Sequence, residues 1–139
     1  MRIAIITLTI ALVVAGGWWA FVRPPDGNST TAGARMVAVN LPENSTPLEQ
    51  TGAAAFTVNC ADCHGINGAG RDGIAPPLIH KIYEPSHHGD MSFQLAMMQG
   101  VRAHHWSFGD MPAVIGLAPA DAEPIIAYVR AVQRANGIN

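Results

Sequence analysis

From Ile3 to Val22 the chain is apolar at every position except Thr7, Thr9, Gly16 and Gly17, and Arg2 and Arg23 flank the run. Twenty helical residues rise about 30 Å, the hydrocarbon thickness of a bilayer. Trp18 and Trp19 stand near the far end, where interfacial aromatics belong. The pattern predicts an N-terminal membrane anchor over residues 1–23. A cleaved signal peptide is the rival reading, with Ile3–Val14 as its apolar core and Ala15-Gly16-Gly17 as the cleavage site. Either reading exports the remainder of the chain. Residues 24–46 have linker composition, rich in Pro, Gly, Asn, Ser and Thr, and a flexible coil of that length reaches about 25 Å. Within it, the apolar patch Met36–Leu41 is expected to lie against a folded domain or to form a short edge strand. The Asn-Ser-Thr triplets at Asn28 and Asn44 fit a glycosylation pattern but read as polar linker.

Residues 47–139 contain three helical patterns. Thr46-Pro47-Leu48-Glu49 combines a cap, an N-terminal proline and a capping-box glutamate, and predicts a helix to about Asn59. A second helix is expected after a cap at Asp90, with Met91, Leu95 and Met98 on its apolar face and Gly100 as its stop. A third is expected after a cap at Asp121, with Pro124 in the first turn. Its stripe is Ile125, Tyr128, Val129 and Val132, and Gly137 ends it. Residues 65–79 read as a Gly/Pro-rich loop. No period-2 run stands out in residues 47–139, so the domain reads as small and all-α.

Composition changes the picture in two ways. The mean hydropathy of +0.19 reflects the N-terminal run, because residues 24–139 carry six Lys and Arg against ten Asp and Glu. No basic patch exists to neutralise phosphates, which excludes a nucleic-acid partner. The 139 residues contain two cysteines three positions apart, so a disulfide scaffold is excluded as well.

Those cysteines form Cys60-Ala61-Asp62-Cys63-His64, the pattern of covalent c-type haem attachment. Two thiols at this spacing can reach both vinyl groups on one porphyrin edge, and the adjacent His64 can then face the iron. A thioredoxin-like dithiol would need a βαβ context, and a zinc site would need further thiolates or spaced histidines. His80, His87, His88, His104 and His105 are many for this length. They could hold copper or zinc, but adjacent loop residues seldom both face one ion, so lining a haem edge or meeting solvent is the expected role.

On these residues the chain resembles the class I c-type cytochromes, in particular small membrane-anchored bacterial monohaem members, over about residues 47–137. Gly52 and Phe56 match positions that pack on the C-terminal helix, where Tyr128 matches the aromatic partner. The resemblance implies a small cytochrome c fold of three to four helices around one covalent haem c, in a cytochrome domain at 47–139 preceded by the anchor and linker. It implies that Pro76 offers its carbonyl to the Nδ1–H of His64. It also implies that Met111, in Gly109-Asp110-Met111-Pro112-Ala113, supplies the sixth ligand, and a residue before proline is biased to the extended backbone that presents a side chain. His104 or His105 is the alternative ligand. Arg102 and Trp106 are candidate donors to the haem propionates.

The implied function is one-electron transfer rather than enzymatic catalysis, by a haem domain on the periplasmic face of the bacterial inner membrane, single-pass through residues 3–22. The expected donor is a quinol-oxidising complex or a dehydrogenase, and the expected acceptor a terminal oxidase. The alternative is a fixed haem-bearing subunit of a larger membrane oxidoreductase or oxidase. A haem enzyme or ligand sensor with an open sixth position ranks last.

Overall fold

The computed structural model describes residues 32–139; the expected anchor at 1–23 and residues 24–31 lie outside them. The order is α1 (Pro47–Asn59), α2 (Ala61–His64), a 3-10 turn at Ile66–Gly68, a second at Lys81–Tyr83, α3 (Asp90–Gln99) and α4 (Pro119–Ala135). Among the described residues the only β pairing is three isolated bridges, so the domain is all-helical. No described helix is long and apolar enough to cross a membrane.

Helix α1 starts as its sequence dictates. The Glu49 amide donates to Thr46 Oγ1 at 3.3 Å, and Glu49 Oε2 accepts from the Thr46 amide at 2.7 Å. One turn apart on its inner face, Gly52 and Phe56 are buried. A Cβ on Gly52 would lie 1.8 Å from the Pro124 carbonyl oxygen, so only glycine allows α1 and α4 this close an approach. Phe56 meets Tyr128 with ring centroids 5.5 Å apart.

Helix α4 buries the expected stripe of Ile125, Tyr128, Val129 and Val132. It begins earlier than expected. Pro119 occupies its first turn, Ala118 is the cap residue, and Asp121 lies inside, its Oδ2 accepting the Ala118 amide at 2.8 Å. Pro124 therefore sits beyond the first turn. At the other end the Ile138 and Gly137 amides bond the Gln133 and Arg134 carbonyls, with Gly137 at φ +74°, the Schellman stop.

Two expectations for α3 are corrected. Gly89 is its cap residue, and the Asp90 carboxylate instead accepts from Arg130 Nε at 2.7 Å. Its buried residue is Met97, with Phe93 and Met98 partly buried against the core, whereas Met91 and Leu95 are largely exposed. The helix carries apolar residues on two faces, Met91/Leu95/Met98 and Phe93/Ala96/Met97, so spacing alone admits two stripes, and the position of α4 selects one.

Residues 33–40 are docked rather than free as linker. The Gly33 amide bonds the Asp72 carbonyl, the Met36 and Val37 amides share the Ala69 carbonyl, and the Asn136 side chain bonds both backbone groups of Asn40. Val37 and Val39 pack on the core. The patch Met36–Leu41 thus lies against the domain, and any tether to an N-terminal anchor is shorter than 24–46.

Candidate functional site

The end of α1 runs directly into the Cys60–His64 turn. The Cys60 amide still bonds the Phe56 carbonyl at 2.9 Å, and the Cys60 carbonyl accepts from the amides of Cys63 and His64. One helical turn thereby brings both thiols and the imidazole to the wall of a single cleft. Both cysteines are free. Burial, and then the neighbouring Cys63, push the Cys60 thiol up to about 11. At neutral pH Cys60 is therefore a thiol rather than a thiolate.

His64 is buried, and its Nδ1 lies 2.9 Å from the Pro76 carbonyl oxygen. A carbonyl can only accept, so Nδ1 carries the proton and Nε2 presents a lone pair. Burial holds the ring below the ordinary histidine value, against the opposing pull of the Pro76 bond. Pro76 is placed by a loop folded back under the imidazole. The Gly70 amide bonds the His64 carbonyl at 2.7 Å, the Leu78 amide bonds Gly68 at 2.8 Å, and Arg71 pairs with Ala75.

Met111 lines the same cleft, and its backbone is clasped to Val101 by two reciprocal bonds of 2.9 Å. Gly100, at φ +77°, makes room for this clasp: a Cβ there would stand 2.4 Å from the Met111 carbonyl oxygen. Trp106 also lines the cleft, and its Nε1 is buried without a hydrogen-bond partner. Burial holds the Tyr83 phenol above its usual value and the nearby Trp106 indole partly opposes this, yet no hydrogen bond of ordinary geometry joins the pair. Arg102, expected to face the site, does not: it is exposed and lies outside the cleft wall. Val101 and Ala103 line the wall, and the alternation of extended backbone turns Arg102 away.

Arg130 and Gln133 are functional supports that sequence reasoning missed. Both are buried on α4. The Arg130 guanidinium donates to Asp90, to the Tyr83 and His88 carbonyls and to Gln133 Oε1, and lies over the Phe93 ring. Gln133 Nε2 donates to the Leu78 and Tyr83 carbonyls. Together they hold the strand-free segment 78–88 that forms one side of the cleft. The one signal in the sequence was their i, i+3 spacing beside the apolar stripe.

The residues present fit a haem. The walls are apolar, with Phe56, Leu78, Phe93, Met97, Ile125 and Val129 among them. Two thiols, one oriented imidazole and one thioether converge there. The unpartnered Trp106 N–H lacks an acceptor of the kind a propionate carboxylate supplies, since buried donors rarely go unpaired. Sequence comparison agrees. No curated protein matches the chain, but the family model of cytochrome c matches residues 49–133, more than half of it, from the first turn of α1 to near the end of α4. The Cys60–His64 turn and the cleft it lines are therefore those of a haem protein, and this chain belongs to the cytochrome c family, whose cofactor is covalently bound haem c.

Proposed function

We propose that this cytochrome c is a one-electron carrier in which Cys60 and Cys63 hold the haem by thioether bonds and His64 and Met111 supply the two axial ligands. When bound, the haem supplies a ferrous/ferric couple, and a thioether ligand favours its ferrous form. The chain's own residues supply fixed geometry. Pro76 orients His64, which also raises its basicity as a ligand. The Val101–Met111 clasp and Gly100 hold the loop of Met111. Trp106 Nε1 is the donor left for a propionate. The apolar walls exclude water. The observation that carries this reading is that His64 and Met111 line one cleft with both thiols, each already fixed by backbone hydrogen bonds.

The proposal places the domain on the periplasmic face of the bacterial inner membrane, tethered through residues 1–23. It carries electrons there from a quinol-oxidising complex or dehydrogenase to a terminal oxidase. The apolar run from Ile3 to Val22 and the export that c-type attachment implies support this placement.

The test is Met111→Ala in the haem-loaded protein. The ferric form should lose the weak near-infrared band of a thioether–iron bond, and the potential should fall. His104→Ala should leave the band in place. An unchanged band and potential in Met111→Ala would refute the ligand pair.

A further inference from the structure

Four of the six histidines, His87, His88, His104 and His105, gather beside one another, and the last three line the cleft wall. The sequence argued against a shared ion because His87 and His88 are adjacent. The fold removes that objection. In the turn after Glu84, the amides of His87 and His88 both bond the Glu84 carbonyl, at 3.0 and 2.8 Å. This tight turn brings the two rings together, with centroids 4.6 Å apart. His105 arrives from the segment that leads to Met111.

We propose that His87, His88 and His105 form a binding site for one divalent transition-metal ion of the zinc–copper class, distinct from the haem iron and its ligands His64 and Met111. One nitrogen from each ring lies within 4.8 Å of the others. Two nitrogens held 2.0–2.1 Å from a tetrahedral ion stand about 3.3 Å apart. His87 Nε2 and His105 Nε2 are 3.3 Å apart. A hydrogen bond between these two rings would also give that distance, but it does not account for the third ring.

His88 is prepared as a ligand. Its Nδ1 lies 2.7 Å from the Ile82 carbonyl oxygen, which fixes the proton there and leaves Nε2 free. Its own carbonyl is held by the buried Arg130 guanidinium. Outer bonds of this kind fix ring orientation in histidine metal sites.

Three imidazoles without a carboxylate suit zinc, copper or nickel and exclude calcium and magnesium, which require oxygen. The 3.3 Å between His87 Nε2 and His105 Nε2 suits tetrahedral zinc. His104 stands beside the cluster, its ring 4.2 Å from that of His105, but is not one of the three whose nitrogens converge. An ion here would join the turn at 84–88 to the 101–111 segment, which the cluster's own side chains already bring into contact.

The experiment uses the untagged, haem-loaded full chain, stripped with a chelator and titrated separately with zinc chloride and copper chloride by calorimetry. One ion per chain is expected, with a raised thermal midpoint, as for any ligand bound only by the folded state. His87→Ala and His105→Ala, both at exposed positions, should each weaken binding tenfold or more. His80→Asn, outside the cluster, should not. An unchanged haem spectrum in both variants shows that they remain folded and loaded. Absence of stoichiometric binding, or equal binding in the two variants and the parent, overturns the proposal. A haem spectrum altered by His105→Ala would also overturn it, because that ring would then serve the haem.

Discussion

Replacing Gly52 with alanine tests the α1–α4 contact on which the cleft is built. In an exposed mid-helix position the change should stabilise the protein by about 1 kcal/mol, because alanine is the better helix former. Here the new methyl would stand 1.8 Å from the Pro124 carbonyl oxygen, 2.5 Å from its carbon and 2.9 Å from Tyr128 Cβ. Ordinary contact begins near 3.4 Å, so the two backbones would have to part by about 1.6 Å. No rotamer can relieve it, since two of the obstructing atoms are backbone and the third is a Cβ, which no rotamer moves. Overpacking typically costs about 1–3 kcal/mol, and a backbone collision lies at or above the upper end. Subtracting the propensity gain leaves a net loss of about 2 kcal/mol. For a domain of this size that lowers the thermal midpoint by about 8–16 °C. The assay is thermal unfolding of the haem-loaded protein followed by circular dichroism. Ala54→Gly, at an exposed position of the same helix, serves as the comparison and should lose about 1 kcal/mol. A Gly52→Ala protein as stable as the parent, or more so, would refute the close approach of the two helices.

Gly100→Ala acts on the clasp that presents Met111. Its Cβ would meet the Met111 carbonyl oxygen at 2.4 Å from a φ of +77°, so a loss of about 2 kcal/mol is expected. The near-infrared band should weaken with it, and an unaltered spectrum and melting curve would contradict the role given to this turn. Arg130→Met removes the donor shared by Asp90 and the Tyr83 and His88 carbonyls. A loss of about 3 kcal/mol is expected from acceptors left short of partners, read as a lower denaturant midpoint with faster amide exchange in residues 80–90. A change below about 0.5 kcal/mol would show that the guanidinium does not hold this segment.

The sequence alone determined whatever depends on neighbours along the chain. The Thr46–Glu49 box, the stripe of α4 and the Gly137 stop are contacts within a few residues, and each forms where local chemistry places it. The Cys60–His64 pattern is legible for the same reason, since one helical turn carries its entire spacing. Tertiary structure decided what depends on residues distant in sequence. Which side of α3 is buried was open, because a helix with two apolar faces takes its inner one from its partner. The docking of residues 33–40 rests on backbone amides paired with Ala69 and Asp72, which no side-chain pattern announces. Arg102 turns outward because the pairing of Val101 with Met111 sets the phase of the alternation. Arg130 would read as a surface charge at the end of a helix, yet it is buried because it satisfies carbonyls of a segment more than forty residues away. The histidines gather for the same reason: a turn at Glu84 and a loop leading to Met111 meet only in the folded chain, and proximity between them has no expression in the spacing of either.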